Sequence, residues 1–598
     1  GFLRAVKRHG GYVFDLWGFV PGSYKKGLDG GEYTVTDAQH RLFAGLLGDR
    51  FIGYDNGEQD GRYIGAYTRT QCPARQQNDF QQRRFYEFFD EMGAQLQHAT
   101  TALASLNYVH FFARENNCFM LGAETAQALP NANLWYSFIR GAGKQYGLLW
   151  FGNASVYNRF SWKSYDIESP KVDKEGYSYG PNAGTSLSLL RRLLYVEYLY
   201  NSDMLGYESG LVTTRGNMEK VNAGIPLEPN QTDSDKSLFT GGDAVLSPIG
   251  RLQADCVRFV KARGYAGPMY TPVAVVLNSG NGWCTPRHLY TRDVYRAWGQ
   301  LPYTMADYQL HALFSMLYPG YEDSGFFLNE RGFLTPTPYG ETMDVLMTDM
   351  RPETLGQYNV AILGGWQKPD CEQLDKFEAF ARQGGTLLAF AGQIEGREDA
   401  AALFGAKRLG NSKPVRDARV CSGARSFREE ALSVYAEAEL DEEVQALAWL
   451  EDGTPLVVSR RLGEGRTILV LSPYGMNECA DTAPVRNVEN ASIPKRYELL
   501  ESVRALLADL FNGQLLVRVD NPALETIVNL RGENTLTVTV VNNALTTEAY
   551  QIELLCGREV SRREIEIPDV DPHTPGYWPM YTHPYPPMGA VLRVTRRW

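Results

Sequence analysis

Short apolar runs alternate with longer amphipathic segments through the first half of the chain. Runs rich in β-branched and aromatic residues and bounded by glycine predict strands, and apolar residues spaced three or four apart predict helices. The predicted strands are 11–18, 51–54, 118–124, 147–152, 204–207 and 271–278, and the predicted helices are 37–47, 78–106, 134–144, 186–201 and 248–263. This alternation predicts a parallel α/β fold, and acids at strand ends favour a (β/α)8 barrel of the TIM type over an open sheet.

Taking the run at 271–278 as the eighth strand of such a barrel numbers the others backwards along the chain. The seventh strand then ends at Glu208, the sixth is 147–152, the fifth ends at Glu124, the fourth leads to Glu58, and the third is 11–18. The first two strands are therefore missing from this sequence. Either they lie upstream of Gly1 or the count is off by one.

The second half of the chain has a different texture. Apolar runs at 341–346, 358–365 and 384–390, with a helix pattern at 371–383, predict a smaller doubly wound domain. A helix from Tyr497 to Phe511 precedes a segment of alternating apolar and polar residues, which predicts a β-sandwich. The predicted domains are 1–335, 336–495 and 496–598.

Composition narrows the possible functions. The net charge is −11 with no basic block, so we expect no nucleic-acid partner. No apolar run reaches the length of a membrane span, and we expect no membrane association. The eight cysteines lie far apart without metal-ligand spacing, so we interpret them as mostly buried thiols and expect no metal and no cofactor.

Carboxylates at strand ends are the candidate catalytic groups. Glu208 follows a short apolar run and precedes Ser209 and Gly210, and Glu58 lies in the loop after the strand at 51–54. Retaining glycoside hydrolysis uses two such groups about 5 Å apart, one protonated and one ionised. Glu124 also ends a strand, and it is a sugar-hydroxyl ligand or the true acid if the strand count is off by one.

Other polar and aromatic residues near the predicted strand ends could bind a substrate. Hydrogen-bond donors would keep a nucleophilic carboxylate ionised, and aromatic rings can stack on the C–H faces of a sugar. The candidates are Trp17, Asp55, Asn56, Arg62, Trp150, Asn153, Tyr157, Tyr207 and Trp283. Any single aromatic residue can equally belong to the core.

Together these features resemble clan A glycoside hydrolases of the family 42 β-galactosidase type and related gut-bacterial β-glycosidases. The most specific parts of the resemblance are 141–147, Glu208, the pair Pro272-Val273, and 358–390. The resemblance implies that Glu58 is the general acid/base and Glu208 the nucleophile. One departure is that Gly57 separates Asn56 from Glu58, whereas relatives place Asn directly before the acid/base.

The resemblance also implies a retaining exo-acting β-glycosidase that cleaves a neutral β-linked hexoside, with a galactoside preferred over a mannoside or glucoside. It implies a homotrimer formed through the second domain, and a bacterial cytoplasmic or periplasmic location. Two alternatives stay open. One is a carbohydrate-binding protein that has lost activity, and the other is a glutamine amidotransferase, although the matching turn at 390–393 has no nucleophilic cysteine.

Overall fold

The computed structural model describes residues 2–16, 25–26, 32–33, 36–58, 99–103, 108–115, 120–125, 132–154, 171–172, 178–179, 187–207, 248–278, 304–319, 336–479, 496–542, 549–555, 560–566 and 591–596. In the first half, the helices are α1 (Phe2–Arg8), α2 (Asp37–Leu47), α3 (Tyr108–Glu115), α4 (Ala132–Tyr146), α5 (Leu187–Leu199), α6 (Pro248–Arg263) and α7 (Met305–Leu317). The strands are β1 (Val13–Leu16), β2 (Lys25–Lys26), β3 (Glu32–Tyr33), β4 (Phe51–Glu58), β5 (Ala99–Leu103), β6 (Met120–Thr125), β7 (Leu149–Ala154), β8 (Lys171–Val172), β9 (Ser178–Tyr179), β10 (Met204–Tyr207) and β11 (Val273–Leu277).

In the second half, the helices are α8 (Pro352–Leu355), α9 (Cys371–Arg382), α10 (Glu398–Leu403) and α11 (Glu501–Asn512). The strands are β12 (Met343–Met347), β13 (Val360–Gly364), β14 (Thr386–Phe390), β15 (Ala406–Val415), β16 (Ala418–Ser422), β17 (Arg425–Glu429), β18 (Leu432–Leu440), β19 (Gln445–Leu450), β20 (Pro455–Leu462), β21 (Gly465–Val470), β22 (Met476–Cys479), β23 (Arg496–Leu499), β24 (Val517–Val519), β25 (Leu524–Leu530), β26 (Thr535–Asn542), β27 (Ile552–Leu554), β28 (Val560–Glu566) and β29 (Val591–Arg596). The residues predicted as helix at 497–499 therefore belong to strand β23.

Six strands form the first sheet, in the order β1-β4-β5-β6-β7-β10. Every neighbouring pair is parallel, and the order follows the chain. The predicted parallel α/β class is confirmed, because parallel neighbours need the helical crossovers that the sequence pattern predicted. Closure of this sheet into an eight-stranded barrel stays a prediction.

Strand β5 was missed by the sequence analysis. Residues 99–103 were predicted as the end of a helix over 78–106, but they pair with β4 on one side and β6 on the other. The prediction was wrong there because Ala99-Thr-Thr-Ala-Leu103 has too little apolar character to show a strand period, and only its two partners select the extended form. The rest of 78–106 lies outside the described residues.

The central sheet has the order β12-β11-β13-β14-β21-β20-β19-β16-β17. Its first five strands are parallel and the others are antiparallel. Strand β11 lies here, with Val275 level with Val345 on one side and Ile362 on the other. The prediction that 271–278 is the eighth strand of the barrel is therefore wrong, and the predicted boundary at 335 falls between two adjacent strands of one sheet.

Two further regions complete the described chain. Strands β15, β18, β22 and β23 form an antiparallel sheet. At the C-terminus, the sheet β25-β26-β29-β28 and the pair β24-β27 share one apolar cluster, as the predicted β-sandwich requires. We call these six strands the C-terminal β layers. Among the described residues, no helix has the length and apolar character needed to cross a membrane.

Helix α4 attaches the first half of the chain to the central sheet by covering its outer strand β12. Arg140 Nη2 donates a hydrogen bond to Met343 O (2.8 Å), and Gln145 Oε1 accepts one from Met347 N (2.9 Å). A Cβ atom on Gly141 would lie only 1.7 Å from Val345 O, so this approach requires glycine. Side chains of α4 thus satisfy backbone groups that an outer strand would otherwise leave unpaired.

Candidate functional site

The carboxyl edge of the first sheet carries the predicted catalytic residues. Glu58 is the last residue of β4 and is level with Leu103 of β5, which is level with Gly122 of β6. Glu124, two residues further along β6, is level with Asn153 of β7. Since parallel strands end at the same edge, the backbones at 58, 124 and 153 come together there, where parallel sheets place their ligands.

Strand alternation assigns some of these positions to a face of the sheet. Met120, Phe151 and Met204 form one small apolar cluster, which marks the face they share. Positions 124 and 153 have the same parity as Met120 and Phe151, so they fall on that face. Position 207 has the opposite parity to Met204 and falls on the other face.

Strand β4 has an irregular register just before its acid. Tyr54 is level with Ala99, Asp55 with Thr101 and Glu58 with Leu103, so three steps along β4 from Asp55 match two steps along β5. This is a β-bulge, and it includes Asn56 and Gly57. The residue that separates Asn56 from Glu58 is therefore accommodated in the bulge.

Strand β5 changes the spacing between the candidate acids. The sequence count placed Glu58 and Glu208 three strands apart, but the observed order places β4 and β10 four strands apart. Glu124 on β6 is two strands from β4 and two strands from β10. At the usual strand spacing, two strands correspond to about 10 Å between backbones.

Trp150 does not form part of this edge. It lies near the start of β7, only 5% of its surface is exposed, and its ring packs 5.7 Å from that of Tyr136 on helix α4. Glu208, Trp17, Arg62, Tyr157 and Trp283 lie outside the described residues. Asp55, Asn56 and Tyr207 are placed in their strands by their backbones.

The carboxyl edge of the central sheet is occupied by glutamines. Gln393 Nε2 donates to Leu363 O (2.8 Å) and Gly365 O (2.9 Å), and its Oε1 accepts from Phe390 N (3.0 Å). Gln367 Nε2 donates to Val276 O (2.9 Å). These side chains satisfy the backbone at the position where an amidotransferase would need its nucleophile, so the geometry does not favour that alternative.

Two buried polar groups were missed by sequence reasoning. Glu197 on α5 is fully buried and accepts a hydrogen bond from Tyr136 Oη at 2.8 Å. It lies directly behind β7, because a Cβ atom on Gly152 would lie 2.0 Å from its carboxyl carbon. The only sequence signal was an acid on the apolar face of a helix, which is not specific.

The second missed group surrounds Asp344 of β12. Its carboxylate accepts hydrogen bonds from Arg140 Nε (2.9 Å), Thr271 Oγ1 (2.7 Å) and Tyr358 Oη (3.0 Å), and it pairs with Lys144. Burial alone would raise the pKa of Asp344, but Lys144 and Arg140 outweigh it and hold the pKa at about 2. Two of these residues, Arg140 and Lys144, lie in or beside the segment 141–147 that carries the family resemblance.

Within the described residues, no group of three or more His, Cys, Asp or Glu side chains could hold a metal ion. Cys256 is buried, Cys371 is exposed and Cys421 is partly buried, and all three are free thiols. Burial raises the pKa of Cys256 to about 12, so this thiol stays protonated and unreactive at neutral pH.

No protein-family model and no curated protein sequence matches the chain. Among solved structures, the chain is similar to a cold-adapted β-galactosidase from Rahnella sp. R3, with 12% identity, 99% of this chain and 89% of that chain covered, and a TM-score of 0.49. It is also similar to Gan42B, a GH42 β-galactosidase from G. stearothermophilus, with 12% identity, coverage of 87% and 68%, and a TM-score of 0.44. A third is the exo-β-1,4-mannosidase Op5Man5 from Opitutaceae bacterium strain TAV5, with 13% identity, coverage of 79% and 80%, and a TM-score of 0.34. These identities and TM-scores are too low to transfer a substrate or a residue role to this chain.

Proposed function

We propose that the protein is a retaining exo-acting β-glycosidase that hydrolyses a neutral β-linked hexoside, with a galactoside preferred. The observation that supports this most directly is the arrangement of the first sheet. Its parallel strands bring the backbones of Glu58 and Glu124 to one edge, and β10 ends at the residue before Glu208. Several carboxylates at the carboxyl edge of a parallel sheet are what double displacement at a sugar requires.

In this proposal, Glu208 attacks the anomeric carbon and forms a glycosyl-enzyme ester while Glu58 gives its proton to the leaving oxygen. Glu58 then removes a proton from water, which attacks the same carbon and releases Glu208. The bulge in β4 supports the role of Glu58, because bulges next to active sites re-aim a side chain. Asp55, Asn56, Arg62, Asn153, Tyr157, Tyr207, Trp17 and Trp283 are proposed to bind the substrate.

Glu124 is the alternative partner, since β5 shifts the strand count that assigned the roles. It is two strands from β4, and position 124 falls on the same face as 153. Glu124 and Glu58 could therefore form the pair, with Glu208 further round the edge. The two assignments differ in which variant responds to an external nucleophile.

Azide rescue with an aryl β-galactoside decides between these assignments. In Glu58→Ala, an activated aryl glycoside should still form the glycosyl-enzyme, because its leaving group needs little protonation. Azide should then restore turnover and give a β-glycosyl azide. The proposed pair is wrong if Glu58→Ala keeps the wild-type rate on the natural type of substrate, and rescue in Glu124→Ala instead assigns the acid/base to β6. Glu353→Gln, an exposed change on α8, is the matched control.

An inactive carbohydrate-binding protein is the second candidate, favoured by the displaced Asn56. It predicts sugar binding by calorimetry without turnover of any aryl β-glycoside. We also propose a homotrimer, from the family resemblance of the second domain. A light-scattering mass near 67.1 kDa, the mass of one chain, would contradict it.

A further inference from the structure

A buried acidic pair lies where the first half of the chain, the central sheet and the C-terminal β layers meet. Glu341 lies just before β12 and Glu525 lies in β25, and their exposed fractions are 1% and 0%. Both carboxyls lie far from the carboxyl edge of the first sheet in sequence and serve no step of the proposed reaction. We call them the junction pair.

Two tyrosines connect the junction pair to the rest of the protein. Tyr200, just after α5, donates its hydroxyl proton to Glu525 Oε1 and is also hydrogen-bonded to Glu341. Tyr318, just after α7, donates to Glu341 Oε2 at 3.2 Å. Both rings are buried, and the guanidinium of Arg140 lies 4.7 Å from the ring centre of Tyr200. Segments from three parts of the chain thus meet on two carboxyls.

The charges at this place balance only if one carboxyl is neutral. The facing charged groups are Arg140 and Lys144 on α4, Asp344 on β12 and the junction pair itself. Two cations against three carboxylates would leave one buried negative charge without compensation, which is costly away from water. Arg140 and Lys144 are already bonded to Asp344, and no described cation forms an ion pair with Glu341.

We propose that Glu341 and Glu525 share one proton in the folded protein at neutral pH, and that its loss in alkaline solution loosens the attachment of the C-terminal β layers. The pair is then a pH-sensitive latch. This inference does not depend on the proposed glycosidase activity. A carboxyl pair bridged by a tyrosine hydroxyl titrates as a unit, with one proton held far more tightly than the other.

Direction and pH range follow from the pair's environment. Burial, and next the charge of Glu525, raise the pKa of Glu341 from 4.5 to about 8, although Arg140 opposes them. A carboxyl that binds its proton more tightly when folded makes the folded state less stable as pH rises, between its unfolded and folded pKa. The latch is therefore closed near pH 5 and releases as pH rises through about 8.

The attachment that the latch controls is made by backbone atoms. Glu341 N donates to Thr526 O at 3.0 Å, Tyr270 N to Val528 O at 2.8 Å, and Leu530 N to Pro268 O at 2.8 Å. These bonds border a cleft of about 550 Å³ whose lining includes Arg140, Tyr200 and Thr271. The cleft brings solvent close to the pair and gives the proton a short route out.

Infrared spectroscopy tests the shared proton directly. At neutral pH, exposed carboxyls are ionised, so a protonated carboxylic-acid band must come from a buried group. The wild-type protein should show this band at about pH 7 and lose it by about pH 9.5, and Glu341→Gln should lack it. A wild-type protein without the band at about pH 7 overturns the proposal whatever the variants do.

Hydrogen exchange then tests the latch. Between about pH 6 and about pH 9.5, after correction for base-catalysed exchange, amides of 267–270 and 524–530 should lose protection by about tenfold or more in the wild type. Glu341→Gln should remove this loss, and Glu525→Gln provides a second variant should the first not fold. Glu353→Gln, exposed on α8, should behave as wild type. Equal loss in Glu341→Gln and wild type overturns the latch.

Discussion

The two parallel sheets of this chain each present a carboxyl edge, and the two edges use their polar residues differently. At the central sheet, Gln393 and Gln367 bond to backbone carbonyls that the ladder leaves unpaired. At the first sheet, Glu58, Glu124 and Asn153 stand within strands, where the ladder itself pairs the backbone. An edge whose side chains satisfy its own backbone has a structural role, whereas an edge with acids inside the ladder is a candidate for chemistry.

Replacing the proposed nucleophile should give the largest effect. Glu208→Gln removes the covalent route, so kcat on an aryl β-galactoside should fall by roughly three orders of magnitude or more. Thermal unfolding should not change, because no structural contact is assigned to this residue. Activity within about tenfold of the wild type would exclude Glu208 as nucleophile.

Replacing a glutamine of the central sheet should have the opposite result. Gln393→Leu leaves Leu363 O, Gly365 O and Phe390 N without this partner, and the free energy of unfolding should fall by about 3 kcal/mol in urea titration. The kcat of the folded fraction should be retained. Gln383→Leu, at an exposed position after α9, is the control. A large loss of kcat without loss of stability would give the central edge a catalytic role.

Acid separates the two edges through Asp344. Its lowered pKa means that its contribution to stability is complete above the unfolded pKa of about 4 and is lost as pH falls through about 2. The wild-type protein should lose about 2 kcal/mol of unfolding free energy over this range from this group. Asp344→Asn should be less stable near neutral pH and show a flatter acid profile, and an unchanged profile would contradict the assignment.

Trp150→Phe should have the smallest effect. Because Trp150 packs against Tyr136, the change should cost about 1 kcal/mol of stability and leave KM for aryl glycosides unchanged. Stability is measured by urea unfolding. A several-fold rise in KM would mean that this ring reaches the substrate after all.

Local signals predicted some elements well. Helix α2 occupies the predicted residues because Thr36 and Gln39 form a capping box, in which Gln39 Oε1 accepts from Thr36 N at 2.8 Å. Strands β6, β7 and β10 were predicted because each is an apolar run next to glycine. These signals depend on neighbours along the chain, which a sequence shows directly.

Partners distant in the chain decided the features that were missed. The run at 271–278 was correctly predicted as a strand, but its two neighbours, β12 and β13, place it in the central sheet. Sequence patterns also gave the acids at strand ends but not their spacing, which depends on the weakly marked strand β5. The roles of Arg140, Lys144 and Gln145 in holding β12 involve residues about 200 positions away.

The cover on β12 has a consequence for synthesis of the chain on the ribosome. Helix α4 emerges about 200 residues before the strand whose edge it protects, so the cover already exists when the edge appears. A fragment that begins after α4 would present a five-residue apolar outer strand with its backbone groups unpaired, a template for pairing with other chains. Chain order thus protects the nascent protein against aggregation.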